Sequence, residues 1–181
     1  MKILLNIFKK IRLIMFLYLG RLKSFFKKVN KLETPDRDIL EMIIFPEICK
    51  NSIDKKILFV GCEWYTSHYK KFFINHEFWT IDFNKSVARF GSDNHIIDRL
   101  ENLDIHFSDD CFDIIICNGI LGFGTDSPIN TKIVFNKCFA SMKQGGLFIL
   151  GWNRNHEIKN DPREVESLSQ FTPFIFPALN T

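Results

Sequence analysis

The sequence predicts an α/β domain, a mostly parallel sheet with helices on both faces, and three observations carry that expectation. From Lys55 onward, short apolar runs alternate with polar segments of helix length. One run, "FDIIICN" from Phe112 to Asn118, holds a continuous β-branched stretch, Ile114 to Ile116, of the kind found in strands buried on both faces. Strand, helix and strand then follow one another repeatedly, the order that gives parallel sheets. With 181 residues, 46% of them hydrophobic and 25% charged, the chain has the size and composition of one globular domain plus appendages, not of a disordered or fibrous protein.

The first appendage is "MKILLNIFKKIRLIMFLYLGRLKSFFKKVN", apolar and basic together. Up to Lys31 it holds nine basic residues and no acid; since the chain has 24 Lys and Arg against 21 acids, the remainder carries 15 against 21, a balance of −6. A basic arm on an acidic body points to an anionic surface. After Arg12 the longest uncharged stretch is Leu13 to Gly20, well short of the roughly 20 residues that span a bilayer. No A-x-A-like cleavage site is visible either. The expectation is a helix that does not span, and two readings stay open. It either lies in a membrane interface with Lys9, Lys10, Lys23, Lys27 and Lys28 on its flanks, or packs on the domain through Leu, Ile and Phe. The domain boundary is set at 1–33 for the arm and 34–181 for the body.

Next comes "ETPDRD", where Thr34 can cap a helix whose first turn holds Pro35, Asp36 and Asp38, running to about Phe45 before Pro46. Ile57 to Val60 is the first strand, and "SHYKKFFIN" a helix after it. Phe78 to Asp82 and His95 to Asp98 are the second and third strands, each ending in an acid. Phe112 to Asn118 is the fourth. "NTKIVFNKCFASMKQGG" is a helix with Ile133, Val134, Phe135, Cys138, Phe139 and Met142 inward, ended by Gly145 and Gly146. Leu147 to Trp152 is the fifth strand, and a last helix is expected around Pro162 to Gln170.

In such sheets ligands bind beyond the carboxyl ends of the strands, where the strand order reverses. Polar and flexible residues cluster there: Gly61 after the first strand, Asp82 and Asp98 closing the second and third, Asn118 and Gly119 at the fourth. Asp82 stands 21 positions after Gly61, near the offset of about 20 at which an acid takes ribose hydroxyls in dinucleotide folds. An isolated strand-end Asp is as readily a cap or turn former, but four consecutive strand tips together describe a site for an adenosine-type ligand. The five cysteines form no C-x-x-C pair and the five histidines are scattered, so a reduced, cytoplasmic protein with no metal site is expected.

From Ile96, "IIDRLENLDIHFSDDCFDIIICNGILGFG" places Asp98, Leu100, Phe107, Phe112, Asp113 and Asn118 in order, followed by "MKQGGLFIL". This order resembles the class I S-adenosylmethionine-dependent methyltransferases with small Rossmann-like domains, over about Lys55 to Trp152. The resemblance implies S-adenosylmethionine as cofactor, with Gly61 approached by the methionine part, Asp82 on the ribose, Asp98 near the adenine, and Asn118 and Gly119 close to the sulfonium methyl. A nicotinamide site is disfavoured because G-x-G-x-x-G is absent. The family usually shows G-x-G-x-G in the first turn, where this chain reads Gly61, Cys62, Glu63, Trp64, Tyr65. A glutamate held at positive φ would be strained. On another loop path, Glu63 could meet the cofactor's positive charge and Tyr65 or Trp64 could cover it, or the two rings could simply pack. The family's last two strands have no counterpart after Trp152, and an uncovered sheet edge invites homodimerisation.

The implied activity is methyl transfer to a small-molecule, sugar or lipid-linked acceptor. The "NGILGFGTD" loop lacks the signatures of nucleic-acid base methylases, and a peripheral membrane contact through residues 1–30 suits a lipid-linked substrate. No catalytic base is identified; His156 and Asp126 are the candidates at hand. The alternative is a catalytically inactive, methyltransferase-like binding or scaffold protein.

Overall fold

A computed structural model describes residues 12–22, 31–50, 53–121, 127–152 and 161–179. Lys9, Lys10, Lys23, Lys27, Lys28, Asp126 and His156 lie outside them. Five parallel strands form one sheet in the order β3-β2-β1-β4-β5: β1 Lys56–Val60, β2 Glu77–Ile81, β3 Asn94–Ile96, β4 Phe112–Asn118 and β5 Met142–Gly151. The chain moves outward from β1 to β3 and then returns to the other side of β1, so the order reverses between β1 and β4. No strand follows β5 among the described residues, and β5 pairs only with β4.

The sheet is buried on both faces by alternate residues of the same strands. Leu58, Val60, Ile115 and Cys117 face Leu103, Val134, Phe135 and Cys138 on one side. Ile57, Phe59, Ile114 and Ile116 face Leu40, Phe45, Ile48, Tyr69 and Phe73 on the other. This two-sided burial explains why β1 and β4 carry apolar residues in unbroken runs.

Helix α1 covers residues 12–22. Helix α2 is continuous from Pro35–Ile39 through a π-helical turn, Leu40–Ile44, into Phe45–Cys49. It therefore runs past Pro46, where the sequence predicts a stop or a bend. The wider turn accounts for this: the Phe45 amide donates to Leu40 five residues back, which loosens the coil where proline lacks a donor and needs room. Thr34 holds the N-cap position with extended backbone, but its hydroxyl caps nothing.

Between β1 and β2 the expected helix is absent. Residues 64–76 form successive turns with one 3-10 segment, Tyr69–Lys71. Thr66 and Ser67 donate their hydroxyls to the Glu63 and Trp64 carbonyls at 2.9 and 3.0 Å, so side chains compete with helical amides for these acceptors. After β3 a 3-10 turn, Leu100–Asn102, leads into α3, Leu103–His106. Helix α4, Pro128–Ser141, begins at Ser127, whose hydroxyl accepts from the Asn130 amide.

Helix α4 ends before Gly145 and Gly146, because Met142 already pairs with Phe112 as the first residue of β5. The register shifts before Leu147 pairs with Ile114, and Gly145, at φ +76°, sits in that irregularity. Val134, Phe135, Cys138 and Met142 point inward as expected, whereas Ile133 and Phe139 are exposed, Phe139 meeting Phe171 edge to face. The last predicted helix is two 3-10 segments, Pro162–Glu164 and Glu166–Gln170.

Candidate functional site

The loop after β1 turns on a single glycine. Gly61 has φ +86°, a region that L side chains rarely enter, and its amide donates to the Ile81 carbonyl at 3.0 Å. A Cβ there would meet nothing within 4 Å, so the glycine answers to backbone conformation and leaves open space beside it. Among the described residues other than glycine, only Asp54 and Asp110 have positive φ. Glu63 therefore escapes the strain that a second glycine position would have imposed. Its amide donates to the Thr66 hydroxyl at 3.0 Å, closing the turn.

Asp82, directly after β2, ties two loops together. Its Oδ2 accepts from the Cys62 amide and its Oδ1 from the Asn84 amide, each at 2.8 Å. A carboxylate has about four lone-pair sites, so one further acceptor position per oxygen remains for a ligand. Burial and the Asp82 carboxylate push the Cys62 thiol up to about 12, which keeps it protonated and non-nucleophilic.

Asp98 is engaged within its own turn. One oxygen accepts from the Arg99 amide and Asn102 Nδ2 at 2.7 and 2.8 Å, and the other meets His106 Nε2 at 2.8 Å. The His106 contact first, then Asn102 and the Arg99 amide, hold this carboxyl below its ordinary value. Asn118 ends β4 with its side chain against Gly151, where an added Cβ would collide with it. Gly119 repeats the Gly61 geometry, with φ +86° and open space at its Cβ position.

These tips open into one cavity of about 450 Å³, within the range of small-molecule sites. Gly61, Glu63, Tyr65, Asp82, Asp98, Asn118 and Gly119 all line it. So do residues that the sequence reading missed. Phe83, Val87 and Leu100 supply apolar wall, and Phe83, 53% exposed, lies under the Arg99 guanidinium at 5.1 Å. Phe83 follows the strand-tip acid directly, which was the one available signal.

Arg37, only 8% exposed, is a buried cation in the first turn of α2. It donates to the Tyr69 hydroxyl at 2.8 Å and lies 4.8 Å from the Tyr65 ring centroid. Among the described residues no carboxylate forms an ion pair with it. Nearby, the Thr34 hydroxyl is buried without a partner and also lines the cavity.

Helix α1 completes the enclosure with Leu13, Leu17 and Arg21. Arg21 grips Glu63, and Gly20 packs so closely on Trp64 that a Cβ would run into the indole ring. Trp64 is buried and Tyr65 meets it edge to face at 5.3 Å.

No protein-family model matches this chain, and no curated protein matches it. Solved structures do. A protein from Pyrococcus horikoshii superposes with a TM-score of 0.53 at 17% identity, over 72% of this chain and 63% of that one. A TehB-like SAM-dependent methyltransferase from Corynebacterium glutamicum superposes with a TM-score of 0.53 at 17% identity, over 89% of this chain and 91% of that one. The chain thus spans less than two thirds of the Pyrococcus protein and most of the Corynebacterium enzyme. At these identities the likeness is one of fold: this chain has a Rossmann-like fold, as does the Corynebacterium methyltransferase.

Proposed function

We propose that the chain binds S-adenosylmethionine in this cavity and transfers its methyl group to a small-molecule, sugar or lipid-linked acceptor. The observation that carries the reading is that all seven residues expected at a cofactor site line a single cavity at the reversal point of the sheet. The fold likeness to a methyltransferase supports it.

The donor groups fit the cofactor's parts. Asp82 keeps acceptor capacity for the ribose hydroxyls while holding both loops. Phe83, Val87 and Leu100 offer apolar wall for the adenine, beside Asp98. Arg37, buried and free of any carboxylate ion pair among the described residues, fits the amino acid carboxylate, with the Thr34 hydroxyl as a second donor. The open backbone at Gly61 and Gly119 lets the ligand lie close to β1 and β4.

Bound S-adenosylmethionine supplies an electrophilic methyl on a sulfonium. The chain's part is to align that carbon with the acceptor and exclude water. Asn118 and Gly119 stand at the tip of β4 for the first task, and Leu13 and Leu17 of α1 roof the cavity for the second.

Calorimetric titration of the full chain with S-adenosylmethionine and S-adenosylhomocysteine tests the reading. Saturable binding of both is expected; a folded sample that binds neither returns the chain to the scaffold alternative. Three further readings accompany it. The described thiols are all free, which supports a reducing, cytoplasmic setting. The outer edge of β5 is the surface through which two copies would pair. No helix among the described residues is long and apolar enough to cross a membrane.

A further inference from the structure

We propose that the outer face of α1 docks the protein on an anionic phospholipid bilayer, with the inner face roofing the cavity. The helix presents two apolar faces. Leu13 and Leu17 line the cavity and Gly20 packs on Trp64, so the inner face is already covered by the domain. At about 100° per residue, Ile14, Met15, Tyr18, Leu19 and Leu22 fall on an opposite stripe about 140° wide. They are exposed by between 41% and 63%. Five large apolar side chains side by side on an 11-residue stretch form a patch that a chain living only in water has reason to avoid.

Charge identifies the occupant. The stretch up to Lys31 carries nine basic residues and no acid, with Lys9 and Lys10 preceding Arg12 in the sequence and Lys23, Lys27 and Lys28 following Leu22. An apolar stripe flanked by cations matches the boundary between acyl chains and anionic headgroups. The remainder of the chain, at −6, would be repelled by the same surface, so attraction is confined to the arm. Because α1 also roofs the cavity, docking holds the cavity within one helix of the bilayer surface, where a lipid-linked acceptor would be met.

The test is co-sedimentation of the full chain with vesicles of phosphatidylcholine alone and of equimolar phosphatidylcholine and phosphatidylglycerol. Binding to the anionic vesicles, weakened by salt, is expected. The double substitution Met15→Glu/Leu19→Glu, at positions that do not line the cavity, should lower partition roughly tenfold or more. Its circular dichroism and cofactor titration should stay unchanged. Replacing Lys9, Lys10 and Lys23 by Gln should remove the preference for anionic vesicles while leaving the fold intact. Absence of sedimentation, or equal binding to both vesicle types, overturns the proposal. So does self-association of the wild type in solution that the Glu variant abolishes while vesicle binding persists. None of these readouts depends on methyl transfer, so failure here leaves the cofactor reading to its own titration.

Discussion

Arg21 and Glu63, 42 positions apart, form a two-pronged ion pair, with Nε donating to Oε2 at 3.2 Å and Nη2 to Oε1. The pair fastens α1 to the loop after β1, and its side chains are only 25% and 13% exposed. A double-mutant cycle with Arg21→Ala and Glu63→Ala should return a coupling of about 1 kcal/mol in chemical denaturation, smaller at high salt. Strictly additive single effects would mean that the pair fastens nothing.

Gly20 should tolerate no larger residue. Gly20→Val puts atoms into the Trp64 indole, and the overpacking should cost about 1 to 3 kcal/mol. Thermal or urea unfolding of the variant measures it. Stability equal to wild type would show that α1 does not rest on the ring.

Asp82→Ala should weaken S-adenosylmethionine binding about tenfold to a hundredfold, as expected for losing charge-assisted hydrogen bonds. Asp82→Asn, which keeps one acceptor oxygen, should fall between. Calorimetry reads both, and an unchanged affinity in the Ala variant refutes the ribose assignment.

Asp98 provides a prediction in acid. Its folded value is depressed, first by His106 and then by Asn102 and the Arg99 amide. The stabilisation it gives is present above the ordinary carboxyl value and is lost as pH falls through the folded one. Replacing His106 by Ala should move the Asp98 midpoint up toward the ordinary value in a carboxyl-carbon NMR titration. A midpoint that stays put would assign the depression to other partners.

The thiols should react in two classes. Cys62, raised to about 12, and the buried Cys117 and Cys138 should resist a thiol-specific disulfide reagent in the native state at mildly alkaline pH. Cys49 and Cys111, less buried, should react first. Early modification of Cys62 would place the loop after β1 in a more open arrangement.

Much of this was legible because parallel strands write their burial into the sequence. β1 and β4 face apolar partners on both sides, so Ile57 to Val60 and Ile114 to Cys117 read as unbroken runs. The strand-tip residues were legible because topology gathers them whatever the loops do. The segment after β1 was not, since Tyr65, Tyr69, Phe72 and Phe73 are spaced as on a helix while Thr66 and Ser67 hold turns through their hydroxyls. Arg37 and the roof formed by α1 join the site only by tertiary packing, across separations that no spacing rule spans.

Asp82 serves two masters, and selection sees both. Because its carboxylate suspends the Cys62 and Asn84 amides, a lineage that had abandoned its ligand would still be penalised for losing the acid. Its persistence among descendants would therefore testify to architecture as much as to chemistry. Phe83 has no such second duty: half in solvent, it holds up little of the core. An aromatic retained at that one position is the more telling witness that a flat ring is still being received.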